Sequence, residues 1–364
     1  MMRFFQRFLL PGFVFQGIVV GGGYATGREL IEFFMPSGPL GGLLGMATVA
    51  VVWSVVMAIS FELCRMAGRY DYKSFFQRLL GRYWVAYEVC FLATMTLALA
   101  VIGAATGEIV RDRFGLPEVF GSVVLLAAIG GLVFWGTAAI ERFMGVWSLL
   151  LYGAYIFIVA RTISLFGDGM WQTMAASDAG GPWLVDGLRY AGYNVAAVPA
   201  VFFCLRHITR RRQALVAGSL GGLIAIVPGV LFYIALMALY PDVGQASIPS
   251  VVLLDRLAVP AFAAAFQIVL LGTFIQTGVG LVHTFNERIA ATLADRGRPL
   301  TRMHRPMIAA ALLFIALVLA TNVGLVGLIA HGYGVITWGF IVLFVLPTVT
   351  VGLYRVLRRA EQAA

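Results

Sequence analysis

The first apolar segment of the chain is interrupted in its middle by Gly21-Gly22-Gly23-Tyr24-Ala25-Thr26-Gly27, and the charged pair Arg28-Glu29 follows at once. Residues 8–20 read as membrane helix but span only about 20 Å at ~1.5 Å per residue. A bilayer's hydrocarbon core is roughly 30 Å thick, so the crossing is completed only by continuing through the glycines to Phe33 and Phe34. Each glycine costs a helix about 1 kcal/mol, so consecutive glycines predict opened backbone. Opened backbone at membrane depth persists only where protein buries it or where it lines a cavity. This stretch is therefore the leading candidate for a binding site.

The 364 residues are 61% hydrophobic and only 12% charged, about half the charged fraction of a soluble domain, which is roughly 25%. That places the chain among multi-pass proteins of the lipid bilayer. Arg3 and Arg7 ahead of an apolar run would also fit a signal peptide. No small-x-small cleavage site follows the run, however, and Leu30 to Phe34 resume the apolar pattern, so the first helix is expected to be retained. The net charge of +9 is concentrated in alternate loops. That is the positive-inside signature, and no nucleic-acid partner is expected. Cys64, Cys90 and Cys204 lack metal or redox spacing and are expected as buried thiols without a disulfide.

Ten spans follow from the apolar runs, at about 8–34, 38–65, 84–110, 119–137, 145–166, 183–206, 213–240, 257–290, 306–329 and 333–356. Arg3 and Arg7, the basic residues from Arg65 to Arg82, Arg142, those from Arg206 to Arg212, those from Arg288 to Arg305 and those from Arg355 to Arg359 then share one side. Asp168, Asp178, Asp242 and Asp255 fall on the other. Both termini are thus expected in the cytoplasm and the spans in the cell membrane. Residues 70–83 mix Lys73, Arg78 and Arg82 with Phe75, Phe76, Leu79 and Leu80 at helical spacing, which predicts an amphipathic helix lying in the interface.

The sixth span repeats the logic of the first. Pro182 suits a helix start, residues 183–190 make a short apolar half, Ala191-Gly192-Tyr193-Asn194 interrupts, and residues 195–205 complete the crossing around Pro199. Five spans separate the interruptions, an odd number, so two halves (residues 1–166 and 183–364) enter the membrane with opposite orientation. Matched interruptions in inverted halves are the sequence pointer to a secondary transporter's central site.

On these features the chain resembles the amino acid–polyamine–organocation superfamily, and residues 21–30, Gly-Gly-Gly-Tyr-Ala-Thr-Gly-Arg-Glu-Leu, resemble its YkvI-type branch of bacterial membrane proteins. The resemblance implies an all-α membrane protein with a five-plus-five inverted repeat (the LeuT-type fold) and broken helices 1 and 6. It places Gly22 and Gly23 where backbone N–H groups meet a substrate carboxylate. The positive end of an outer half-helix starting near Tyr24 agrees with that placement. It places Gly17 and Val20 where carbonyls face a sodium ion in sodium-coupled relatives, opposite Thr273 and Thr277 of the eighth span. Gln276-Thr277 stands where those relatives carry adjacent hydroxyls, so the site is matched in part. Tyr24 replaces a small amide of one sodium-coupled subfamily, which argues against a second sodium site.

Charges inside a span are functional candidates by default. Arg28 suits a carboxylate or sulfonate held in bidentate fashion, and Glu29 an amine or a coupling proton. Thr26 and Glu29 equally fit a capping box for the outer half-helix. Asp186 and Arg189 either pair with Arg28 and Glu29 as an outer gate or bridge each other at i, i+3. Asn194 is an N-cap of the inner half or a solute contact. Tyr190, Gly192 and Tyr193 surround the same interruption, as cavity wall or as packing. Glu62, Glu88 and Arg161 lie near span ends, where they can snorkel, and Glu108 is expected to pair with Arg111 at the outer surface. His283, near Asn286 and Glu287, is a packing histidine or a proton relay.

The sequence thus predicts a secondary active transporter for a small zwitterionic solute such as an amino acid, coupled to sodium or protons, with no further cofactor. Spans 1, 2, 6 and 7 are expected to rock against the rest. A channel would want a ring of carbonyls or charges, and an enzyme a catalytic set such as Gly-x-Ser-x-Gly or HExxH; neither is present in the sequence. A sensor built on a transporter fold is the other alternative. Solute identity, coupling ion and oligomeric state stay open at this level.

Overall fold

The computed structural model describes residues 4–175, 177–246, 248–297, 304–323 and 334–361, and these are helical with short connections and no strand. Eight of the described helices are long and apolar enough to cross a membrane. One of these eight runs from Arg28 to Ala67 and so takes in the outer piece, Arg28–Phe34, of the broken first span, whose other pieces are Leu10–Val19 and Gly22–Thr26; the ninth span is His304–Val323, with a shorter apolar stretch at Met307–Leu319. The second and third spans are Gly38–Ala67 and Trp84–Phe114, and the fourth and fifth Glu118–Trp135 and Thr137–Ala175. The sixth runs Trp183–Asn194 and then Val195–His207, the seventh Arg211–Leu236 and the eighth Pro260–Ala294. The tenth begins at Gly334–Phe340 and ends as Leu353–Glu361. The expected end of the ninth span, together with His331, Arg298 and Arg302, lies outside the described residues.

Close approach of small residues assembles the centre, as expected where lipid offers no hydrophobic drive between helices. A β-carbon at Gly187 of the sixth span would sit 2.6 Å from the Gly45 carbonyl oxygen of the second. Gly218 and Gly222 of the seventh press on Ala58 and Ser54 of the second in the same way, and the Ser54 hydroxyl donates to the Ser219 carbonyl at 2.9 Å. First, second, sixth and seventh spans form one packed group.

Two local expectations, the fourth-to-fifth connection and the Glu108–Arg111 pair, are corrected, and the amphipathic helix forms as expected. Gly136 alone, at φ 91°, connects the fourth span to the fifth. The fifth is therefore 39 residues long, and Arg142 lies in its helix instead of in a loop. The amphipathic segment forms the helix Tyr72–Leu80, capped by the Asp71 carboxylate on the Ser74 N–H at 2.8 Å. Its apolar face turns into the protein: Phe75 meets Phe202 and Phe344, and Phe76 stacks on Tyr87. Arg111 pairs with Asp112 and Glu118 and leaves Glu108 aside. The three cysteines are free thiols.

Candidate functional site

The ladder of the first helix ends with the Val20 N–H on the Gln16 carbonyl at 2.8 Å. Val20 (ψ 67°) and Gly21 (φ −96°, ψ −155°) then carry the chain out of helical geometry. Helix resumes at Gly22, two residues before the expected restart at Tyr24, and stops again at Thr26. Gly27, at φ 86°, is a second joint, where a side chain would be strained and would crowd Phe232 and Pro249. The interruption is thus two hinges around one short turn.

Backbone of the seventh span holds that turn in place. Pro228 has no N–H, so the Ile224 carbonyl loses its helical donor and accepts the Tyr152 hydroxyl instead. Beside it the buried Tyr24 hydroxyl donates to the carbonyls of Ala225 at 3.2 Å and Ile226 at 3.3 Å.

The capping box expected from Thr26 and Glu29 does not form. Gly27 precedes the outer half-helix without a side-chain cap. Glu29, 5% exposed, instead accepts a 2.5 Å hydrogen bond from the Tyr193 hydroxyl of the sixth span. Arg28 turns away from this pair, onto Glu32 at 2.9 Å and the carbonyls of Gly244 and Ala246. Asp186 and Arg189 bridge each other at 3.6 Å, and Arg189 lies over the Phe33 ring. Neither crossing pair of the expected outer gate is formed.

The sixth span also differs from its expected interruption. It stays α-helical through Asn194 and then tightens into a 13-residue 3-10 helix around Pro199. Runs of 3-10 helix beyond about four residues are uncommon and mark hinges or strain. Its greater rise, about 2.0 Å per residue against about 1.5 Å, lengthens the inner half. Asn194 stands at the N-cap position of the 3-10 half but makes no side-chain cap there; its amide donates to the Tyr190 carbonyl at 3.1 Å.

Between the hinge of the first span and the α-to-3-10 junction of the sixth lies a cavity of about 50 Å³, whose wall the third and eighth spans also supply. One water needs roughly 10–15 Å³ by this measure, so the space suits a few waters or a small solute. Its polar lining is Gly21, Glu29, Thr94, Tyr193, Asn194 and Thr277. Among the described residues on the wall, Glu29 is the one carboxyl, and none is a lysine, arginine or histidine. Among the described residues no cluster of three or more His, Cys, Asp or Glu exists that could hold a metal ion.

Five of the sequence candidates (Gly21, Glu29, Tyr193, Asn194 and Thr277) therefore meet at one cavity. Gly22 and Gly23 begin the short helix directly after Gly21. Tyr24 and Tyr190 stack on each other at 6.3 Å, with Phe33, Phe34 and Trp53 around Tyr190, as an aromatic layer outside the lining. Gly192 faces Ile341 and Thr337 of the tenth span. The third span was missed: Thr94, Ala98, Val101 and Ile102 line the cavity at i, i+4, i+7 and i+8. That spacing is one helical face, and the lone threonine on it was the available signal.

On the eighth span the two threonines part company. Thr277 donates to the first helix, to the carbonyls of Gly17 at 3.2 Å and Ile18 at 2.9 Å, and not to Val20. Thr273 donates back to its own helix, to Leu270 at 2.6 Å and Val269 at 3.1 Å. Gln276 ties the fifth span through the Met144 carbonyl and the Ser148 hydroxyl, while its amide oxygen and the side chain of Gln16 are buried without a hydrogen-bond partner. His283 sits edge-on to Phe203, 4.0 Å from Glu287. Glu62 is buried in a bridge to Arg65, and Glu88 pairs with Arg288.

A broken first helix and a sixth helix that changes pitch, meeting at a polar cavity, give the chain a fold of the LeuT type, with its five-plus-five inverted repeat. No family model matches the sequence. The chain is similar to the uncharacterized membrane protein YkvI of Bacillus subtilis (strain 168), 24% identical over 247 residues that cover 65% of this chain and 68% of that protein. Its fold is similar to that of MhsT in complex with L-phenylalanine, with a TM-score of 0.61 and 17% identity over 92% of this chain and 85% of that one. It is also similar to a substrate-bound Na+-coupled sialic acid symporter, with a TM-score of 0.64 and 13% identity over 92% and 78%.

Proposed function

We propose that the protein is a secondary active transporter of the cell membrane that carries a small zwitterionic solute, an amino acid or close analogue. The observation that carries this reading is the small cavity between the hinge of the first span and the pitch change of the sixth, where the Glu29 carboxyl faces backbone of the break. The solute's ammonium group meets Glu29 and Tyr193. Its carboxylate meets the first amides of the Gly22–Thr26 turn, which have no acceptor within their own helix. Two solved proteins of the same fold are described with L-phenylalanine and as a sialic acid symporter, which supports a carrier of charged organic solutes. Residues 1–166 and 183–364 are the two inverted repeats, and the arginine-rich loops with both termini face the cytoplasm.

Coupling is by sodium, seated at the carbonyl end of the first helix. The fit there is partial. Thr277 Oγ and the Gly17 and Ile18 carbonyls give oxygens already within hydrogen-bond reach of one another. Val20 and Thr273 join only once the Thr273 hydroxyl leaves Leu270. A second reading, proton coupling through Glu29, is favoured by its burial against Tyr193 inside the cavity. Uptake of labelled amino acids into proteoliposomes, with imposed sodium or pH gradients, separates them. Sodium-driven uptake lost in Thr277→Ala supports the first reading; sodium-independent uptake that follows the pH gradient and is lost in Glu29→Gln supports the second. Neither gradient driving uptake of any amino acid defeats the transporter reading.

A further inference from the structure

A second cavity, of about 340 Å³, shares no lining residue with the central one and is built beside the arginine-rich connection between the second and third spans. It opens between the last turns of the second span, the short helix Tyr72–Leu80 and the terminal helix Leu353–Glu361. Its floor is apolar, made by Leu63, Met66, Phe75 and Leu79. Arg69, Arg78 and Arg355 stand around its rim, and all three side chains belong to exposed residues. Among the described residues, Arg69 bridges to Asp295 at 3.1 Å, with both side chains half exposed. Arg355 donates to the Arg78 carbonyl at 2.7 Å, which fixes the terminal helix against the short one and holds two guanidinium groups on the same rim.

We infer that this cavity is a binding site for an anionic phospholipid. The volume falls in the range of small-ligand pockets, about 300–1,000 Å³. It sits where the second span ends, at the boundary between hydrocarbon and water, so an occupant must present apolar chain and charged head within a few ångströms. The floor accepts the first methylenes of an acyl chain, and the three guanidinium groups, which bind phosphate in planar, bidentate fashion, take the headgroup. A soluble anion would gain the rim alone, and a neutral lipid the floor alone. Basic pockets between spans on the positively charged side are the physical form of lipid recognition. The occupant also bridges three elements, two of which (the short helix and the terminal helix) reach the second and sixth spans through packing and not through loops.

The test is native mass spectrometry of the whole chain titrated with dioleoylphosphatidylglycerol, dioleoylphosphatidylcholine or glycerol 3-phosphate. The phosphatidylglycerol complex is expected to form preferentially, and glycerol 3-phosphate is expected neither to bind nor to compete. Arg78→Gln/Arg355→Gln should weaken phosphatidylglycerol by about 25-fold, taking about fivefold per arginine near an anionic headgroup. Ala67→Phe, which narrows the floor and keeps every arginine, should weaken it as well, so the inference stays testable if the double variant fails to fold. Arg211→Gln/Arg212→Gln, on the same side but away from the cavity, should leave it unchanged. Equal loss in that control, competition by glycerol 3-phosphate, or no preference over phosphatidylcholine would each overturn the site.

Discussion

Thr277→Val separates the two eighth-span hydroxyls that the sequence treats alike. Valine keeps the shape of threonine and removes only the hydroxyl. In the wild type that hydroxyl serves two buried carbonyls of the first helix, Gly17 and Ile18, next to the point where the ladder ends. Leaving buried acceptors unpaired costs about 1–3 kcal/mol, and the middle of that range corresponds to about 30-fold in an equilibrium constant. Thr273→Val removes a hydroxyl that only doubles bonds its own helix already makes at Val269 and Leu270, a loss of about 0.5 kcal/mol or roughly twofold. In proteoliposomes at fixed pH, the sodium concentration for half-maximal uptake should rise about tenfold or more in Thr277→Val, which loses an oxygen already at the proposed sodium seat, and less in Thr273→Val, whose hydroxyl must first leave Leu270. Equal shifts, or a larger one in Thr273→Val, would refute the argument that the hydroxyl bridging the two helices is the one that counts.

Glu29→Gln should weaken solute binding by about tenfold to a hundredfold, the range of a hydrogen-bonded charge, with Tyr193→Phe milder; equilibrium binding of labelled amino acid reads this, and wild-type affinity in Glu29→Gln would remove the carboxyl from the site. Gly272→Ala should lower the thermal unfolding midpoint in detergent, because a β-carbon there overlaps the Trp147 indole, which is itself tied to the Val269 carbonyl at 2.9 Å, and overpacking of this kind costs about 1–3 kcal/mol; an unchanged midpoint contradicts it. Reporter fusions at Asp178 and Arg211 should report opposite sides of the membrane, since the sixth span lies between them, and the same side for both would break the inverted topology.

Much of this arrangement was legible because lipid imposes strict rules on backbone. Glycines at 21–23 in a span too short to cross without them pointed directly at the hinge, and the hinge is where the cavity lies. Pairwise contacts were less legible. Thr26 and Glu29 have capping-box spacing, yet Gly27 at φ 86° ends the short turn one residue later, so the helix that Glu29 joins starts after the expected cap. The carboxyl is then free to reach Tyr193, a residue 164 positions away that no local pattern connects to it. Arg28 adjoins the break, and its helical direction carries it to the outer loop at Gly244 and Ala246, on the vestibule side and not onto the cavity wall. The sixth span keeps its helix through Asn194 because Gly192 is used for packing against Ile341 and not for opening backbone. Thr94 escaped attention since a threonine bonded back to its own helix, here at Cys90, looks the same in sequence whether or not its other face lines a cavity.

Solute counterflow tests the central claim most directly. Proteoliposomes loaded with unlabelled amino acid and diluted into a trace of the same labelled compound should accumulate label transiently above its equilibrium level, without any ion gradient. The same preparation of Glu29→Gln should not. A carrier with one enclosed site that opens alternately to either side predicts that overshoot. Flux that only relaxes to equilibrium, or binding that saturates with no flux for any amino acid that binds, would contradict the account.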